Sequence, residues 1–247
     1  MRATIAGNNE SRLALRWSLS GRSQRGWVIY EPLVRAAVGL DDSAGDQAFA
    51  QAVGRWQKSR SLPQSGVVGE ETWYAMIGEF QAQRLRDRTY PSSEQLIVIP
   101  VRESFDPERP DELRQVEKST YQAYTKMIAA ALKDKSLGLK QTSDGELHPD
   151  EKFLKIFSAF RSREYQDKLR RAEPNAGPNA LAKNSPHFTG RALDLYVGGE
   201  PANSSDANRL IQSQTAVYKW LVRNAGAFGF RPYFYEPWHW EYVANTN

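Results

Sequence analysis

A charged, proline-punctuated stretch from Gln81 to Pro110 divides this chain into two parts that fold on different patterns. It holds Arg88-Thr89-Tyr90-Pro91, Ile99-Pro100, Asp106-Pro107 and Arg109-Pro110. Proline lacks a backbone donor and restricts the residue before it, so neither a continuous helix nor a central strand crosses this region. Its apolar run at Leu96–Val101 is expected as an edge strand. With 40% hydrophobic residues in a chain of 247, both flanks can bury a core. The expected organisation is a unit at 1–80, a linker at 81–110 and a second domain at 111–247.

Before the break the apolar period is helical. From Asp46, residues Ala48, Phe49, Ala52, Val53 and Trp56 recur on one face, Leu62-Pro63 stops the run, and Gly66-Val67-Val68-Gly69 forms a turn. Glu70–Ile77 reads as a second helix with Glu70 and Glu71 in its first turn, where the macrodipole favours acids. A third helix is expected around Pro32–Val38. Helices this short are marginal alone and must share a core, in which Trp56 and Trp73 are expected to sit.

After the break a long amphipathic helix is expected, with Leu113, Val116, Thr120, Tyr124, Met127 and Ala131 on one face and Asp111-Glu112 in its first turn. A loop at Gln141–Asp150, a strand within Phe153–Phe160 and a helix from Ser162 follow. Ala192–Val197 alternates as a strand, Asp206–Phe228 is helical, and the aromatic tail from Pro232 to Val243 prefers strand. Helices and strands without βαβ alternation give an α+β fold. The expected form is a small N-terminal three-helix domain plus a C-terminal domain with a mainly antiparallel sheet flanked by helices.

The absence of cysteine removes disulfide scaffolds, thiolate metal sites and a cysteine nucleophile, and the three histidines confine imidazole chemistry to His148, His187 and His239. A net charge of +4 without a basic run interleaved with aromatics argues against a nucleic-acid partner. The longest apolar run, around Met127–Leu132, falls short of the ~18 residues of a membrane span. The first residues lack the apolar core of a secretory signal, so a signal is expected to have been removed, to be absent, or to be replaced by another export route.

Two histidines lie in segments suited to a metal. His187 precedes Asp194 by seven residues, with Gly190 between them able to turn both side chains to one side. Glu236-Pro237-Trp238-His239-Trp240-Glu241 supplies the second, and Pro237 biases Glu236 away from helical geometry. Two imidazoles and a carboxylate suit Zn²⁺ with one coordination position open. Such a centre needs a base and a cationic donor beside it. Glu236 can stand over the metal without ligating it, and Arg161 ends a buried strand. His148 lies in a polar turn and is expected to face solvent.

Ser185-x-His187-x-x-Gly190-x-Ala192-x-Asp194, Glu236-Pro237-Trp238-His239-Trp240 and Ala159-Phe160-Arg161-Ser162-Arg163-Glu164-Tyr165-Gln166 together resemble the VanY-type D-alanyl-D-alanine carboxypeptidases, a zinc peptidase family. Order and spacing agree over Asp111–Val243. The resemblance implies His187, Asp194 and His239 as zinc ligands, Glu236 as general base and acid, and Arg161 as the group that stabilises the substrate carbonyl. It also nominates Ser185, Ser162, Gln166 and Trp238 as substrate contacts. The implied substrate is the stem peptide of peptidoglycan, losing its terminal D-alanine outside the cytoplasm, in periplasm or wall. This chain has Ala159-Phe160 where the family often has Gly-Tyr, and Phe188 where Gln is frequent.

The earlier part resembles the peptidoglycan-binding type 1 module through Ala52-Val53-x-x-Trp56-Gln57, Leu62-Pro63-x-x-Gly66-Val67-Val68-Gly69 and Thr72-Trp73. Two other functions fit less well. One is an endopeptidase on the same scaffold, cutting L-Ala-D-Glu or a cross-bridge as lysins or effectors do. The other is a non-catalytic wall-binding protein, against which the intact ligand set argues.

Overall fold

In a computed structural model, described over residues 1–172 and 184–244, the α+β division expected from the sequence is present. The chain opens with α1 (Arg2–Ala14) and an antiparallel hairpin of β1 (Arg16–Leu19) and β2 (Arg22–Arg25), then α2 (Glu31–Ala37), α3 (Asp46–Lys58) and α4 (Glu70–Ala82). The last three are the expected helices. The first elements are additions that periodicity does not reveal. Buried Asn8 docks α1, donating from Nδ2 to the Gly66 carbonyl at 2.8 Å and accepting from Val68 N at 2.9 Å. A polar anchor thus replaces an apolar stripe. Ser20 and Gly21, both at positive φ, make the tight hairpin turn whose twist suits the strands.

The second part holds β3 (Leu96–Val98), β4 (Gln115–Glu117), α5 (Lys118–Lys133), β5 (Ile156–Ser158), α6 (Arg163–Ala172), β6 (Ala192–Leu195), α7 (Asp206–Gln214), α8 (Ala216–Asn224), β7 (Phe230–Pro232) and β8 (His239–Tyr242). Three boundaries differ from expectation. The long helix starts at Lys118 because residues 115–117 pair with β3, and the Glu117 carboxylate caps it by accepting from Ser119 N at 3.1 Å and Thr120 N at 2.8 Å. Asp111-Glu112 therefore occupy a separate 3-10 turn. Within Phe153–Phe160 only Ile156–Ser158 is strand. The Asp206–Phe228 helix is interrupted at Thr215, whose hydroxyl accepts from Tyr218 N at 3.1 Å and lies 2.9 Å from the Val197 carbonyl.

The main sheet has the order β5-β6-β8-β7 with every neighbour antiparallel. Its register places Asp194 opposite His239 on one side and opposite Ser158 on the other. Tyr124, Met127, Leu193, Leu195, Tyr218 and Leu221 pack in the core behind it. That core continues into the N-terminal unit. Phe234, fully buried after β7, stacks on Tyr30 with ring centroids 4.2 Å apart, and Tyr30 Oη is 3.0 Å from Tyr218 Oη. Among the described residues no helix is long and apolar enough to cross a membrane.

Candidate metal centre

The turn before β6 carries His187. Ser185 Oγ accepts from His187 N at 3.3 Å, and the 3-10 turn Pro186–Thr189 ends at Gly190, whose φ is 68°. A Cβ there would meet Glu117 N at 2.9 Å, so this reversal requires glycine. It lets His187 and Asp194 meet although seven residues separate them. His187 Nε2 lies 3.3 Å from Asp194 Oδ2, and His239 Nδ1 lies 2.9 Å from Asp194 Oδ1. All three side chains are buried, and one ligand atom from each falls within 4.8 Å of the others.

The hydrogen bonds behind the two imidazoles decide which nitrogen faces the cluster. His187 Nδ1 is 2.6 Å from the Ala159 carbonyl, so Nδ1 carries the proton and Nε2 turns a lone pair inward. On His239 the order is reversed: Nε2 is 3.1 Å from Glu241 Oε1, which leaves Nδ1 toward Asp194. Two imidazoles and a carboxylate converging in this way fit a tetrahedral Zn²⁺ site with one open position.

Burial, together with the Arg161 charge, lowers His187 to about 4. Burial opposes charge on His239 too, but the bonds to Asp194 and Glu241 outweigh it and raise that imidazole to about 9. Burial alone would raise Asp194, yet the two histidines hold it well below the usual carboxylate range. For Glu236 burial outweighs the nearby charges of His239, Arg161 and Arg84 and pushes the carboxyl up to about 7. A carboxyl near 7 can both take and return a proton at neutral pH.

Glu236 sits in the loop between β7 and β8, where Glu236 N donates to the Tyr233 carbonyl at 3.0 Å and His239 N donates to the Glu236 carbonyl at 2.9 Å. It lines a cavity of about 250 Å³ with the three cluster residues, Arg161, Ser185 and Trp238. Arg161 donates from Nε to Ser158 Oγ at 2.9 Å and from Nη2 to Asp194 Oδ2 at 3.0 Å. Ser162 and Gln166 are not among the described residues of that wall: Ser162 Oγ accepts from Tyr165 N at 3.1 Å at the start of α6, and Gln166 is buried on that helix. His148 stands apart on the surface, its Nδ1 accepting from Asp150 N at 3.1 Å.

Three residues to which the sequence reading gave no part in the site complete it. Arg84 and Arg88, from the stretch after α4, line the cavity. Glu241, fully buried on β8, contacts His239 and Arg84 and accepts from Leu85 N at 2.8 Å. Glu241 was legible in principle, since residues two apart on a strand share a face and it follows His239 by two. No local pattern connects Arg84 to it.

The model of the family described as VanY, D-alanyl-D-alanine carboxypeptidase, matches residues 113–245, and that of a putative peptidoglycan binding domain matches residues 33–76. No curated protein matched the chain.

Proposed function

Since the chain belongs to the VanY family of D-alanyl-D-alanine carboxypeptidases, matched over residues 113–245 of 247, we propose that it is a zinc-dependent peptidase that releases the terminal D-alanine of peptidoglycan stem peptides. The observation that carries this reading is the convergence of His187 Nε2, His239 Nδ1 and Asp194 in the cavity that Glu236 also lines. His187, Asp194 and His239 would hold the metal, which when bound acidifies water and polarises a carbonyl.

The chain's own groups do the rest. Glu236 takes the proton of the attacking water and returns it to the leaving amine, a double role suited to its raised pKa. Arg161 keeps Asp194 oriented and places its guanidinium beside the cavity, where it meets negative charge developing on the substrate carbonyl oxygen. Arg84, Arg88 and Arg161 make one wall of the cavity cationic, which favours a substrate ending in a free carboxylate over an internal peptide bond. Ser185 and Trp238 border the same space as substrate contacts. The module at 33–76 would hold the enzyme on its polymer, with action at the wall, outside the cytoplasm.

Digestion of isolated muropeptides followed by mass spectrometry tests the assignment. Loss of a single alanine from pentapeptide stems is expected. Separation of whole stems would instead establish an endopeptidase, and no mass change with zinc bound would establish a wall-binding protein.

Zinc affinity should also report the state of His239. Its imidazole, raised to about 9, must give up a proton before Nδ1 can ligate. Affinity is therefore expected to rise about tenfold per pH unit from neutrality to about 9, whereas an ordinary imidazole would give a plateau above about 6.5. Chelator competition between pH 6.5 and 9 measures the slope, and a flat profile contradicts the protonation assigned to His239.

A further inference from the structure

We propose that Glu241 is a positioning residue for His239, and that Arg84 and Leu85 hold it in place, so that the stretch after α4 forms part of the metal centre. The proposal rests on His239 being a metal ligand. Arg84 and Leu85 lie outside residues 113–245, so the family match does not contain this arrangement.

A fully buried carboxylate is costly unless its oxygens are matched by donors. Glu241 has three. His239 Nε2 lies 3.1 Å from Oε1, Arg84 Nη2 pairs with the same oxygen, and Leu85 N donates to Oε2 at 2.8 Å. Two of the three come from residues more than 150 positions away in sequence. The Arg84 guanidinium also lies 3.7 Å from the Tyr233 ring centroid, and Tyr233 in turn packs edge-on against His239 at 5.9 Å. Arg84 therefore braces the imidazole by two routes, through a carboxylate and through a ring.

The consequence is orientational. An imidazole can rotate or exchange its proton between nitrogens, and only one state turns Nδ1 toward Asp194. The carboxylate accepting from Nε2–H selects that state and keeps it. Partners of this kind typically contribute 10–100-fold to metal affinity when they are removed. An ordinary structural ion pair between Arg84 and Glu241 would hold the connector in place without affecting the ring.

Glu241→Gln keeps the shape of the side chain and removes its charge, while Arg84→Gln changes a partly exposed residue that touches no metal ligand. Full-length variants are compared with the wild type by zinc competition against a chelator and by ¹⁵N resonances of the histidine rings in the zinc-loaded protein. Zinc affinity is expected to fall at least tenfold for Glu241→Gln and at least threefold for Arg84→Gln, with the His239 Nε2–H resonance displaced in both. Arg84→Lys, which keeps a cation beside the carboxylate, should restore most of the affinity. Zinc affinity within twofold of wild type for either variant, or an unmoved His239 resonance, overturns the proposal. Should Glu241→Gln fail to fold, Arg84→Gln alone decides. A wild type that binds no zinc would sink the metal reading itself, whereas normal zinc binding without alanine release would sink only the peptidase reading.

Discussion

Glu236→Gln is expected to lower kcat by about 10²–10⁴-fold while the protein still binds one equivalent of zinc. Glu236 lies outside the group of three side chains whose ligand atoms fall within 4.8 Å of one another, so its replacement is expected to leave those atoms in place. In the proposed mechanism, what disappears is the group that exchanges a proton with the attacking water and the leaving amine. An amide fills the same space but cannot ionise. His187→Ala is the necessary contrast, because it removes a ligand atom and should lose metal and turnover together. Elemental analysis beside steady-state kinetics separates the two. A Glu236→Gln enzyme retaining a tenth or more of wild-type kcat would remove the acid-base role, and loss of its zinc would make Glu236 a ligand.

Phe234→Ala carries the second large effect, on stability. The ring is fully buried, stacked on Tyr30 at 4.2 Å and lying 6.0 Å from Phe80 and 6.3 Å from Trp73. Emptying a site of this size costs about 3–5 kcal/mol, which in a chain of this length lowers Tm by roughly 6–20 °C. The same residue occupies the loop that holds Glu236, and its carbonyl accepts from buried Arg209 Nη2 at 2.9 Å. The N-terminal aromatics thus pack under the loop that carries Glu236. Two consequences follow together: activity should fall more than zinc content, and the wild type should unfold in a single calorimetric transition rather than as a wall-binding unit and an enzyme melting separately. Two resolved transitions in the wild type, or a Phe234→Ala protein as stable as its parent, would contradict the shared core.

Much of this was readable along the chain. Helices α2, α3 and α4 show as apolar faces, and the strand at β6 shows as alternation, because these elements bury one side and the period of burial is written in the residues. Where burial has no period the reading stopped short. Helix α1 is held by Asn8, a polar side chain that no apolar pattern marks. Helix α5 begins late because Val116 is buried as a strand residue, although it lies in phase with the helical stripe after it. Thr215 divides one expected helix because its hydroxyl serves Val197 and the start of α8 at once.

The site divides along the same physical line. The sequence by itself bounded the donor chemistry: with no cysteine, imidazole ligands could come only from three histidines, the family resemblance implied His187 and His239 with Asp194, and Gly190 and Pro237 marked bends beside them. Only the tertiary structure decided the register that sets Asp194 against His239, the nitrogen that each imidazole turns inward, and the reach of Arg84 and Leu85 to Glu241. The reason is range. Residue type and local backbone preference act over a few positions, whereas the partners that fix a ring's orientation are chosen by which surfaces pack together, and those lie more than 150 residues apart in this chain.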